Sequence, residues 1–249
     1  MKKRAQVTLF IILGIVLLVA AVFFIFVRTK IISPTIPKII MPRVEEYVDN
    51  CIKESGQQGL NLVGKQGGDI NPGFYTMYKG DKVTYLCYVE NYTACVNRRP
   101  GLKFHIEREL SSFVKSQLTS CMNNAPFERQ GYSVTQGAIE VETTIGNYNT
   151  MVDVDFPITI QKGDFVFKKD KFSAVFDVPL GQLVYIANKL VDDEITSPLG
   201  MVFWDLYIVQ SRGRVQIERD TIEKSEIYML RGRDNPYAFK FAVQGWVRP

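Results

Sequence analysis

The sequence predicts an α+β protein with an N-terminal transmembrane helix ahead of an extracytoplasmic domain. Three observations lead there: an uncharged apolar run at the start, two stretches with three-four apolar spacing in the first half, and a change to period-two alternation in the second. The domain should be built of amphipathic helices packed with antiparallel strands.

Between Val7 and Val27 there is no charged residue, and Met1-Lys2-Lys3-Arg4 stands before the run. At 1.5 Å per residue that run would extend roughly 31 Å as a helix, the hydrocarbon thickness of a bilayer. Lys2, Lys3 and Arg4 outnumber Arg28 and Lys30, which sets the N-terminus on the cytoplasmic side and the rest outside. A cleavable signal would end in a small-x-small site, whereas Phe23-Phe24-Ile25-Phe26-Val27 occupies that place. The expected organisation is a cytoplasmic basic segment at 1–6, a transmembrane helix at 7–27, and a stalk at 28–42 stiffened by Pro34, Pro37 and Pro42. The domain follows over 43–249, helical in its first half (43–125) and β-rich in its second (130–249).

From Pro42 a helical face runs through Val44, Tyr47, Val48, Cys51, Ile52, Ser55, Leu60 and Val63, and Gly67-Gly68 stops it. Phe74 to Tyr78 and Lys82 to Val89 read as strands on their β-branched and aromatic content. After Pro100-Gly101 a second amphipathic helix carries Ile106, Leu110, Phe113, Val114, Leu118 and Cys121 in register. Ala138 to Ile145 and Thr150 to Ile160 alternate at two around Gly146-Asn147-Tyr148-Asn149, the pattern of a hairpin. Lys162-Gly163-Asp164 turns the chain into Phe165-Val166-Phe167 and then Phe172 to Val178. Leu180 to Glu194 returns to helical spacing. Met201 to Val209, Arg214 to Ile217 with Glu226 to Leu230, and Tyr237 to Val247 read as closing strands.

Thirty basic residues against twenty-six acidic give a net charge of +4, and setting aside Lys2, Lys3, Arg4, Arg28 and Lys30 leaves −1. A nucleic-acid binder carries a basic excess on its domain, so no nucleic-acid partner is expected. The four cysteines are even in number and lack the close pairs of a zinc site. Three pairings are open. The favoured one joins Cys87 with Cys95 across a short loop and Cys51 with Cys121 between two helical faces. Both suit an oxidising compartment.

Candidate chemistry is sparse. Gly59-Leu60-Asn61-Leu62-Val63-Gly64-Lys65-Gln66 fits a phosphate-binding loop until Gln66, where a Ser or Thr hydroxyl is required for magnesium, and its Leu60 and Val63 continue a helix. His105 is the only histidine, it lacks a second histidine four residues on, and a solvated helix position is expected for it. Asp153 and Asp155 project from one face of a strand whose other face is Val152, Val154 and Phe156, and they are expected to lie on the wet face. Asp192-Asp193-Glu194 lacks the alternating oxygens of a calcium loop and reads as a solvated turn. Arg212-Gly213-Arg214 and Arg231-Gly232-Arg233 read as basic tips between strands. Asn91-Tyr92-Thr93 is a glycosylation acceptor placing a glycan at Asn91. No cofactor, no metal ligand set and no catalytic constellation is readable, and the chain is expected not to be an enzyme.

Lys3-Arg4-Ala5-Gln6-Val7-Thr8-Leu9-Phe10 resembles the N-terminus of archaeal type IV pilin-like precursors. That resemblance implies a cut between Ala5 and Gln6. The segment from Cys51 to Gly68 is similar to one in uncharacterised single-pass archaeal membrane proteins. The expected function is that of a membrane-anchored surface or envelope protein, held in lipid through residues 7–27 and acting by contact with a protein partner or with further copies of itself. Two alternatives stay open: a filament subunit processed after Ala5, and a ligand-binding or glycan-processing ectodomain with a cleft of converging carboxylates.

Overall fold

The computed structural model describes residues 14–22, 41–90, 94–123, 125–196 and 202–244. The chain divides into two units, Met1–Pro42 and Arg43–Pro249. Within the first, residues 14–22 form helix α1, with Ile15, Leu17 and Leu18 exposed. Among the described residues no helix is long and apolar enough to cross a membrane. The expected transmembrane helix over 7–27 is corrected accordingly. The processing site at Ala5 and Gln6, stalk residues 28–40 and the acceptor Asn91 lie outside the described residues.

The larger unit is α+β, as expected. Its elements are α2 (Met41–Lys65), β1 (Tyr75–Tyr78), β2 (Asp81–Val89), β3 (Cys95–Asn97), α3 (Leu102–Cys121), α4 (Ala125–Glu128), β4 (Ser133–Gln136), β5 (Glu140–Ile145), β6 (Thr150–Lys162), β7 (Phe165–Phe176), α5 (Leu180–Thr196), α6 (Asp205–Gln210), β8 (Val215–Ile222), β9 (Ser225–Gly232) and β10 (Ala238–Gln244). The first sheet runs β1-β2-β10-β9-β8 with β3 beside β2, and the second joins β4, β5 and β7 to the long strand β6. The pairing is not wholly antiparallel. β10 lies parallel to β2, with Ala242 opposite Tyr85, so the last strand returns to the middle of a sheet begun by the first two.

The first sheet is apolar on both faces. Tyr228 and Leu230 stand opposite Phe241 and Phe239, all four fully buried, and the rings of Tyr228 and Phe241 stack at 5.3 Å. The other face gathers Tyr78, Val83, Tyr85, Ile227, Met229 and Ala242. α5 packs against β2, β3, β9, β10 and α3. Its buried stripe is Leu180, Leu183, Val184, Ile186, Ala187, Leu190 and Val191, the spacing that keeps one face inward.

In the second sheet, every even-numbered position of β6 from Thr150 to Ile160 is buried, including Val152, Val154 and Phe156. Pro157 interrupts this strand where its register with β7 shifts, between Asp155 and Ile158. Proline cannot donate to a ladder and is tolerated at such irregularities. There β6 exchanges its neighbour, pairing with β5 up to Asp155 and with β4 from Ile158. Gly137 donates its N–H to the Pro157 carbonyl at 2.7 Å. β4 escaped sequence reading because its four residues carry little apolar signal, and β7 is one strand where two were expected.

A second correction concerns Met201 to Val209. This stretch is not a strand: Asp205–Gln210 is the short helix α6. Phe203, Leu206 and Val209 recur at three-residue intervals, a helical period that apolar content had disguised. Arg212 and Gly213 then take left-handed backbone at φ 54° and 67°, and Gly213 donates its N–H to Ile208 O at 2.9 Å. Arg212-Gly213-Arg214 is therefore a helix stop, not a hairpin tip.

α2 approaches both sheets where its glycines lie. A Cβ on Gly56 would sit 2.3 Å from the ring of Phe176, and one on Gly64 would sit 2.6 Å from the carbonyl of Ala238. A Cβ on Gly59 would sit 3.0 Å from the ring of Phe113 on α3, so Gly59 and Gly64, the phosphate-loop-like glycines, serve helix packing. Tyr237, buried, donates its hydroxyl to Leu60 O at 2.9 Å. Both cysteine pairs lie at disulfide distance, Cys51 with Cys121 (Cα–Cα 6.1 Å) and Cys87 with Cys95 (Cα–Cα 5.4 Å). The first joins α2 to α3 and the second closes the loop between β2 and β3. Tyr47 reinforces the first, donating its hydroxyl to Cys121 O at 2.7 Å.

Loop-closure entropy scales with loop length, so replacing Cys51 and Cys121 by serine is expected to cost about 4.4 kcal/mol. The same exchange at Cys87 and Cys95 should cost about 2.6 kcal/mol. Urea unfolding of the two double variants measures both, and equal losses would contradict the ordering.

Candidate functional site

The outer face of the β5-β6-β7 ladder carries the densest set of like charges. Alternation along β6 sends Asp153 and Asp155 to the side opposite Val152, Val154 and Phe156. Alternation along β5 does the same for Glu140 and Glu142. The antiparallel register sets Glu140 opposite Asp155 and Glu142 opposite Asp153, while β7 adds Lys171 beside Asp155 and Ser173 beside Asp153. Four carboxylates in two adjacent rows, with Lys171 and Phe172, line a cavity of about 360 Å³. Lys115 of α3 reaches Glu140 at 3.0 Å. Like charges placed directly opposite each other destabilise a sheet by roughly 0.2–1 kcal/mol per pair, a cost that Lys115 and Lys171 offset in the Glu140–Asp155 row and that the uncharged Ser173 does not offset in the Glu142–Asp153 row. Asp153 and Asp155 thus share a face, as expected. Glu140 and Glu142 went unread, although Glu140-Val141-Glu142 repeats the alternation of Asp153-Val154-Asp155.

A second polar cluster surrounds His105. Gly67 and Gly68 end α2 with φ of 72° and 98° and lay the following residues against β2, where a Cβ on Gly67 would touch Thr84 and the Lys240 carbonyl. Asp69 is thereby buried at 3% exposure. It accepts hydrogen bonds from Thr84 Oγ1 (2.8 Å) and Arg99 Nη2 (2.9 Å) at Oδ2, and it meets His105 Nε2 (2.5 Å) at Oδ1. Burial would raise the Asp69 pKa, but the bonds from His105, Arg99 and Thr84 prevail and hold it at about 2. Glu109, one helical turn beyond His105 on α3, accepts the Ile70 N–H at 2.9 Å. One ligand atom from each of Asp69, His105 and Glu109 lies within 4.8 Å of the others. His105 is therefore not at the solvated position expected of it: its side chain is 19% exposed.

The acidic end of α5 also differs from the solvated turn read from sequence. Glu194 is buried and accepts the Tyr228 hydroxyl at 2.6 Å, while Asp193 accepts that of Tyr207 at 2.6 Å. Burial pushes the Glu194 carboxyl above its ordinary range. Through Glu194 the cluster ties α5 to β9, while Asp192 stays exposed. Arg231 pairs with Glu218 at 3.6 Å, and Arg214 donates to the Tyr148 hydroxyl at 2.8 Å.

Compared with protein-family models, curated proteins and solved structures, the chain gives no match.

A carboxyl whose folded pKa is raised stabilises the fold fully below its unfolded pKa, and that contribution is lost as pH rises through the folded value. Glu194→Gln keeps an acceptor for Tyr228 and removes the buried charge. It is expected to melt above the parent at pH 7, with the gap closing at pH 4, and differential scanning calorimetry across that range measures it.

Proposed function

We propose that this chain is an extracytoplasmic contact protein: a disulfide-braced head whose acidic sheet face receives a basic segment of a protein partner. The observation that carries this reading is the pair of like-charge rows, Glu140 with Asp155 and Glu142 with Asp153. Side chains that repel one another across a ladder lower stability, and a surface that keeps them is suited to gain more from a cationic partner than it loses alone. Complementary charge would steer that partner and fix its register. Two disulfides support the extracytoplasmic address, since such bonds persist where thiols are not kept reduced. A glycan-processing reading fits less well. One carboxyl of a glycosidase pair is held protonated by its surroundings, and the carboxylates of Glu142 and Asp155 stand exposed.

The double variant Glu142→Gln, Asp153→Asn separates a binding face from an ornament. A labelled decalysine peptide followed by fluorescence anisotropy at low salt should bind the parent at least tenfold more tightly than the variant. The variant should melt no lower than the parent, and about 2 °C higher if one repulsive pair worth about 0.5 kcal/mol is removed. Equal peptide affinity, or a variant that melts lower, would count against the proposal.

A further inference from the structure

We propose that Asp69, His105 and Glu109 form a binding site for one divalent transition-metal ion of the zinc class. This site is separate from the acidic sheet face. Three features of the cluster point to it.

The donor set is the first. One imidazole nitrogen and two carboxylates make a set that suits zinc and its neighbours, whereas calcium and magnesium favour oxygen alone. His105 and Glu109 lie four apart on α3, so they occupy one helical face a turn apart. Asp69 comes to them from the segment after α2, and all three ligand atoms already lie within 4.8 Å. Ligands about 2.1 Å from a tetrahedral ion stand about 3.4 Å from each other. Closing the widest gap is a side-chain adjustment and not a refolding.

The second feature is the outer shell. Metal ligands are held by partners that fix their orientation. Here the Asp69 oxygen turned away from His105 is fixed by Thr84 at 2.8 Å and by Arg99 at 2.9 Å. Arg99 also reaches the nearer oxygen through Nε, at 3.4 Å. Glu109 is fixed by the Ile70 N–H at 2.9 Å. Each carboxylate thus has one oxygen committed to the fold and a second that can serve an ion.

Charge is the third. His105 Nε2 and Asp69 Oδ1 face each other at hydrogen-bond distance. An ion placed between them takes the Nε2 lone pair and the carboxylate oxygen, with the ring proton carried on Nδ1. Two carboxylates balance the two charges of the ion. The Arg99 guanidinium beside them favours an anionic fourth ligand. Three protein ligands leave that fourth position to water or to a substrate oxygen.

The test uses the purified full chain, stripped with a chelator and titrated with zinc by calorimetry, with cobalt(II) absorption as the report on coordination. The expected result is one equivalent bound and tetrahedral cobalt bands. Glu109→Gln retains an acceptor for Ile70 and should keep the parent fold by circular dichroism, yet weaken zinc at least thirtyfold. Glu109→His should restore it. The sheet-face variant Glu142→Gln, Asp153→Asn should bind zinc as the parent does. No binding at millimolar zinc, binding that Glu109→Gln leaves unchanged, or binding lost in the sheet-face variant would each overturn the site. A cluster that serves only to clasp Asp69 to Arg99 and His105 would give the first of these results.

Discussion

The large unit depends on one helix touching two sheets at once. α2 comes against β7 at Gly56 and against β10 at Gly64, distances at which no side chain can intervene. Dispersion and apolar burial reward such an approach only where atoms fit closely. The contact is pinned at three places: the Tyr237 hydroxyl on Leu60 O, the Cys51–Cys121 bond to α3, and the Tyr47 hydroxyl on Cys121 O. A methyl group added at Gly64 would press on backbone that cannot turn aside, so the glycine spacing that imitates a phosphate loop is a record of packing.

From that helix the two polar sites follow. Its left-handed end at Gly67 and Gly68 delivers Asp69 to β2 and to the face of α3 that carries His105 and Glu109. α3 in turn meets the second sheet through Ser111 and Glu107, which accept the Thr143 and Ile145 N–H groups of β5 at 3.0 and 2.9 Å. The orientation of β5, and with it that of Glu140 and Glu142, is therefore tied to the same helix that holds the metal-class ligands. The acidic face is set by strand alternation and the His105 cluster by a helix turn, so one is broad and exposed while the other is narrow and half-buried.

Periodicity made much of the architecture legible. α2, α3 and α5 each show a continuous apolar stripe, and β6 alternates without error, so these elements announce themselves in any short window. What stayed hidden depends on contacts between distant residues. Tyr85 and Ala242 stand opposite each other in a parallel pair although far apart in the chain, and no local pattern encodes that. α6 was obscured because Phe203, Leu206 and Val209 are all apolar, and a short helix with no buried face leaves no polar contrast to set the period. The transmembrane reading rested on an uncharged run and its basic flank, and among the described residues no helix is long and apolar enough to bear it out. In the His105 cluster, looking for a second histidine passed over Glu109 at the same four-residue offset. Asp69 could not be found from sequence, since its role comes from the turn of the chain after Gly67.

Thr143 and Ile145 point their N–H groups away from the sheet, along the side of β5 where another strand would otherwise be able to dock. Ser111 and Glu107 already occupy those donors. Enlargement of this sheet by a foreign peptide, or by a strand borrowed from a neighbouring copy, is closed at that border unless α3 first lifts away. At that border the fold is guarded against the backbone-to-backbone zippering from which β-rich aggregates grow.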